Sequence, residues 1–231
     1  MRGFSVKRLT LIAIMSAISG LLYCFLKFNV PIFPQFLDIN FSMIPIIIVA
    51  FMLGPVDATI VVLIRFLIKI ILVGSSTAYV GELADIIICV PTVIACGAIY
   101  NYTNIRFKEL LSFLSIPVVW VVCSLISNKF INIPFYSQAY GIDAIIGLSG
   151  DAFKLITFGK IESITPTNFM KYYLLFAVIP FNLLLSIVVI VITLPVHKRL
   201  KVLYDKFEFK ANKKNKNSNI EDEAYDKEDW F

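Results

Sequence analysis

Several apolar runs in this chain, LTLIAIMSAISGLLYCFL among them, reach the roughly 20 residues that cross a bilayer as a helix. Hydrocarbon offers the backbone no hydrogen-bond partners, so runs of this length fold as helices that satisfy their own amides. Six spans are readable, at about 7–28, 42–53, 55–73, 82–102, 110–135 and 169–196, the second of them short for a full crossing. The chain is therefore read as an all-α membrane protein, a six-transmembrane-helix bundle. Composition supports this: 58% of the 231 residues are hydrophobic and only 16% charged. Residues 1–204 form the membrane domain. The polar, charge-blocked stretch 205–231, KFEFKANKKNKNSNIEDEAYDKEDWF with its flanking aspartate, reads as a disordered tail.

Arg2, Lys7 and Arg8 precede the first run, but no small-residue cleavage pattern closes it, so it is kept as a helix rather than a removable signal. Those three residues, Arg106 with Lys108, and Lys198 with Arg199 and Lys201 fall on one side of a six-span topology. The positive-inside bias makes that side the cytoplasm and places both termini there. Loops 29–41, 74–81 and 136–168 then face outward. The first, NVPIFPQFLDIN, is too apolar for an idle solvent loop and too Pro-broken to span, and is read as a lid. The third contains GIDAIIGLSGDAF, read as a re-entrant or interfacial helix.

Charges stand where lipid would not tolerate them. Arg65 and Lys69 are four apart and share a helix face; Glu82 and Asp85, beyond a GSST turn, are three apart and share another. Each ionisable group at membrane depth costs about 2.5–3.5 kcal/mol on insertion scales, so acids and bases placed to meet imply a protein-lined interior. They serve either as structural pairing between helices or as the wall of a ligand site. Asn128 and Lys129 lie about two turns from the outer end of the fifth span. In the last, Pro180 frees the carbonyl of Phe176, and Asn182 follows. Polar groups on three helices in the outer half point to a pocket. In the first span, Ala13 with Ala17 and Ser16 with Gly20 make small-residue faces that suit close helix approach, within the chain or with a partner.

Other chemistries lack their residues. Cys24, Cys89, Cys96 and Cys123 all sit in apolar spans without a CxxC, and the single histidine, His197, adjoins Lys198 and Arg199; no metal site or cofactor is expected. An intramembrane enzyme would need a nucleophile with a base. A channel of this size would need to oligomerise, and a stand-alone carrier would be expected to show an inverted repeat. No phosphate-binding glycine loop is present, so energy for any transport comes from elsewhere. Nothing here calls for nucleic acid as a partner.

The order FLDINFSMIP, MLGP, LIRFLIKIILVGSSTAYVGELAD, SNKFINIPFY with AYGIDAII, and LLFAVIPFN resembles the substrate-binding S-components of energy-coupling factor (ECF) vitamin transporters, most closely the riboflavin-specific type, over about residues 7–200. The resemblance implies capture of a vitamin at the extracellular end, docking on a transmembrane coupling protein driven by two ATPases, and no catalysis by this chain. It implies that Ala13 and Ala17 meet the coupling protein. It also implies that the loop Phe36, Leu37, Asp38, Ile39, Asn40 and Phe41 closes over the ligand, and that Asn128 and Asn182 read the polar edge of a flavin ring. Glu82, Asp85 and the loop would then serve the ribityl hydroxyls. Departures from that pattern are Leu185, where a lysine is usual, Asn40 in place of an acid, and Asp85 in place of an asparagine. Lys129 is the expected substitute for the missing lysine.

Overall fold

In a computed structural model of the protein, residues 6–34, 37–75, 78–156 and 165–202 are described. The chain runs α1 (Val6–Phe25), a two-stranded antiparallel ribbon β1 (Lys27–Asn29) and β2 (Asp38–Asn40), α2 (Met43–Met52), α3 (Pro55–Val73), α4 (Val80–Tyr102), α5 (Lys108–Tyr140), α6 (Ile142–Ile156) and α7 (Pro166–Val202). Residues up to Thr193 belong to one compact unit and the helix end from Leu194 to a second. The tail read as disordered, 205–231, lies outside the described residues.

Among the described residues, four helices, α1, α4, α5 and α7, are long and apolar enough to cross a membrane. α3 has the length, 19 residues, but carries Asp57, Arg65 and Lys69. α2 is short because it need not meet lipid: Ile46, Ile47, Val49 and Ala50 are 0% exposed, so the helix is apolar on all sides and enclosed by protein. The outward faces of the long helices present Ile14, Ile94, Val118, Val122 and Val191, which suit acyl chains.

Local chemistry sets the boundaries. Gly54 takes φ 113, a left-handed value that glycine adopts without steric cost, and Pro55 opens α3 with a preset φ and no orphaned N–H. Asp57 in that first turn is fully buried and takes both oxygens' worth of Arg8 from α1, at 2.5 and 2.7 Å. α1 lies close on α3 because Gly20 leaves room: a Cβ there would stand 2.7 Å from the Ile68 side chain. The two small-residue rows of α1 therefore part ways. Ser16 and Gly20 face inward, whereas Ala13 and Ala17 are exposed.

Two π turns interrupt the long helices, Asn128–Asn132 in α5 and Leu174–Val178 in α7. Each ends two residues before a proline, Pro134 and Pro180. Proline cannot donate to the carbonyl four residues back and its ring crowds that carbonyl, so a wider turn just upstream relieves both.

The loop read as a lid starts and ends as the β1–β2 ribbon, a small departure from the all-helical expectation. Prolines at 31 and 34 exclude a helix there, and the paired strands satisfy backbone groups that a free loop would leave to water. GIDAIIGLSGDAF forms α6, whose Ile145 and Phe153 are buried with Phe169 and Tyr173 of α7.

Candidate functional site: a cavity with a charged wall and an amide wall

The ribbon, α2 to α7 and the end of α1 enclose a cavity of about 360 Å³. Its charged wall comes from α3 and α4. Arg65 is 0% exposed; its Nη2 donates to Asp85 and, at 3.4 Å, to the Cys89 sulfur, its Nη1 donates to Ser42 Oγ at 2.6 Å, and its guanidinium lies 4.7 Å from the Tyr23 ring centroid. One turn on, Lys69 pairs with Glu82, whose second oxygen accepts from Ser75 Oγ at 2.8 Å. A charge this deep is tolerable only with such partners. Arg65 and Lys69 share a face of α3, Glu82 and Asp85 share a face of α4, and the turn between the helices brings them together, as the spacing predicts.

The guanidinium also reaches the ribbon. Arginine can only donate, so the Ser42 hydroxyl accepts from it and spends its own hydrogen on Asn40 Oδ1, at 2.6 Å. The Ser42 backbone N–H donates to the same oxygen at 3.2 Å, which leaves the Asn40 NH₂ for the cavity it lines. At the ribbon, Lys27 Nζ lies 3.3 Å from Asp38 Oδ2, and Asn29 donates to Asp38 Oδ1 at 2.7 Å.

The opposite wall is neutral. Asn182 Oδ1 accepts from Trp120 Nε1 at 3.1 Å and its amide donates to the Val178 carbonyl at 2.8 Å. Asn128 Oδ1 accepts from Tyr173 at 2.8 Å and from Asn132 at 3.3 Å, while its own amide donates to the Ser124 carbonyl. An amide has two donor hydrogens, so each asparagine is oriented yet keeps capacity. Asn132 Oδ1 is buried with no hydrogen-bond partner among the described residues, an acceptor of the kind a ligand would satisfy. Phe181 and Leu185 add apolar surface.

Of the residues singled out from sequence, Leu37, Asp38, Asn40, Glu82, Asp85, Asn128 and Asn182 line the cavity. Ile39 is buried beneath the ribbon, and Phe41 packs on Phe28 at 5.7 Å between ring centroids. Lys129 is exposed, with its ammonium 5.3 Å from the Phe130 ring, and is not in the lining. Phe36 lies outside the described residues. Tyr23, Lys27, Trp120, Asn132 and Tyr136 also line the cavity and were not read from sequence. Asn132 carried a signal, since it follows Asn128 by four residues and so shares its face. Among the described residues, no three His, Cys, Asp or Glu side chains gather as a metal would require.

Residues 7–197 match the family described as the substrate-specific component of the ECF transporter. The chain belongs to that family. This substrate-specific component is similar to the riboflavin transporter RibU of Leuconostoc mesenteroides, at 29% identity over 87% of the chain and 95% of the relative. It is similar also to RibU of Staphylococcus aureus, at 25% identity over 84% of the chain and 90% of the relative. A solved structure of the S component of a bacterial ECF transporter superposes with a TM-score of 0.62 at 25% identity, covering 86% of this chain and 97% of that one. The protein is thus a transporter's binding subunit in a membrane, and its family works with a separate energising module.

Proposed function

We propose that this substrate-specific component captures riboflavin at the extracellular face and delivers it inward when docked on a coupling protein and two ABC ATPases. The observation that carries the reading is the two-sided cavity. A flat ring with a donor and acceptor edge suits the wall of Asn128, Asn132 and Asn182, while a polyol suits the wall of Asn40, Glu82 and Asp85, where hydroxyls can both donate and accept. Its volume, about 360 Å³, lies in the usual range for small-molecule sites, roughly 300–1,000 Å³. The names of the two relatives point to the same vitamin.

In this reading the chain crosses the bacterial plasma membrane six times with both termini in the cytoplasm. The ribbon is the lid. Ala13 and Ala17, small and exposed on α1, offer the coupling protein a close approach. The chain itself catalyses nothing.

Leu185 supports a second reading, an S-component for another vitamin, flavin-like or unrelated. It lines the cavity, 5% exposed, where the riboflavin type usually has a lysine. Loss of a charged donor there costs about 1.5–3 kcal/mol of binding unless something replaces it. The visible spectrum of the purified protein decides between the two. Flavin bands that co-purify, or quenching of added riboflavin fluorescence, support riboflavin; a colourless protein that quenches nothing moves the site to another vitamin. Uptake in cells should need the ATPases, and accumulation without them would mean a self-sufficient carrier.

A further inference from the structure

Ser42 stands at the N-cap of α2, where a serine ordinarily turns its hydroxyl onto the first free N–H groups of its own helix. This one makes no such bond. It is 0% exposed, and its polar groups are committed to three other elements. The backbone N–H and the hydroxyl hydrogen go to Asn40 Oδ1 on the ribbon, at 3.2 and 2.6 Å. The hydroxyl oxygen accepts from Arg65 on α3 at 2.6 Å, and the carbonyl accepts from Ser19 Oγ on α1 at 2.7 Å.

Asn40 pairs across the ribbon with Lys27, just beyond the end of α1, so this junction grips the ribbon at its base, while Asn29 and Asp38 pair farther out. Behind it α2 is enclosed by protein, and α3 is held to α4 by the pairs of Arg65 and Lys69, so the anchor point is rigid. A charged donor on the hydroxyl oxygen strengthens the bond that its hydrogen makes. The chain Arg65–Ser42–Asn40 therefore runs from a buried ion pair to the rim of the cavity, which Asn40 lines and Ser42 does not.

We propose that Ser42 is the positioning residue of the lid: it fastens the base of the ribbon to the charged wall, holds Asn40 at the rim, and so sets how slowly a captured ligand leaves. The proposal rests on the riboflavin reading, with the ribbon closing over the cavity. A fastening of this kind is made in the closed lid and broken in the open one, so weakening it speeds escape and does not slow entry. Loss of a ligand contact or of folding has no such signature.

Association and release of riboflavin on the purified full chain, followed by stopped-flow flavin fluorescence, test it. Ser42→Ala should release riboflavin about 3–10-fold faster, the effect of one lost hydrogen bond, with association no slower than in the wild-type protein. Ser19→Ala removes a bond of the same junction from the α1 side and leaves the Ser42 hydroxyl in place, so its release should stay within about twofold of wild type. Two variants of Asn40 separate the anchor from any contact its amide makes with the ligand. Asn40→Asp and Asn40→Ala both lose the NH₂, but the aspartate keeps an oxygen for Ser42. It should release riboflavin about 3–10-fold more slowly than the alanine, a comparison that holds even where Ser42→Ala does not fold. Unchanged release or slowed association in Ser42→Ala, equal acceleration by Ser19→Ala, or equal release from the two Asn40 variants overturns the anchor and leaves the riboflavin reading standing. Quenching by riboflavin in none of the proteins, wild type included, overturns that reading, and the anchor with it.

Discussion

On the α3/α4 wall of the cavity the polar groups are charged and matched to each other before any ligand arrives, whereas on the α5/α7 wall they are neutral amides with donors and acceptors to spare. The difference lies in what each wall loses when disturbed. A carboxylate without its cation faces a desolvation penalty of several kcal/mol, so the charged wall is stiff. An amide that exchanges one neutral hydrogen bond for another changes little, so the neutral wall can trade partners with a ligand. One wall ties α3 to α4; the other keeps hydrogen-bonding capacity in reserve.

Removing the buried cation should have the largest effect. Arg65→Met strands Asp85, and the expected loss is about 3–5 kcal/mol of folding stability, visible as a lower unfolding temperature in detergent. Adding Asp85→Leu should recover much of it; a double variant no more stable than the single would mean the pair is not what holds α3 to α4. On the neutral wall, Asn182→Leu should instead weaken flavin binding by about 1–3 kcal/mol, since it removes an amide that lines the cavity and leaves the buried Trp120 N–H unpaired. Unchanged affinity by fluorescence titration would take Asn182 out of the site. Tyr173→Phe removes only the hydroxyl that orients Asn128, and about 0.5–1.5 kcal/mol is expected, in affinity more than in stability. Lys129→Ala should leave affinity within about twofold, because an exposed side chain outside the lining has little to lose. A clear drop there would restore Lys129 as a stand-in for the lysine absent at Leu185.

The charged wall was legible in the sequence because ions at membrane depth have few options: four charges at helical spacing on either side of a short turn can hardly avoid one another. The neutral wall was legible only in part. Asn128 and Asn182 stood out as amides in apolar runs, but Trp120 and Tyr136 looked like any other aromatic in a span, since their polar atoms carry no weight in an apolar pattern. Lys129 was read together with its neighbour, yet adjacent residues on a helix point about 100° apart, and only Asn128 turns inward. Helices α1 to α5 and α7 were visible as apolar runs. The ribbon was not, because strands of three residues are too short to show alternation.

The π turns carry a consequence for how α7 meets the cavity. Tyr173 and Asn182 are nine residues apart, which on an uninterrupted α-helix would set them on nearly opposite sides, about 180° around the axis. Yet both are buried, and both bond to α5. The wide turn at Leu174–Val178 takes up one extra residue, about 100° of rotation, and so closes most of that angle. The amide wall is therefore a matter of chain count as well as chemistry: closing that turn to regular α geometry with every residue kept would rotate Asn182 about 100° away from Trp120, whereas deleting one residue from it would leave the two in phase.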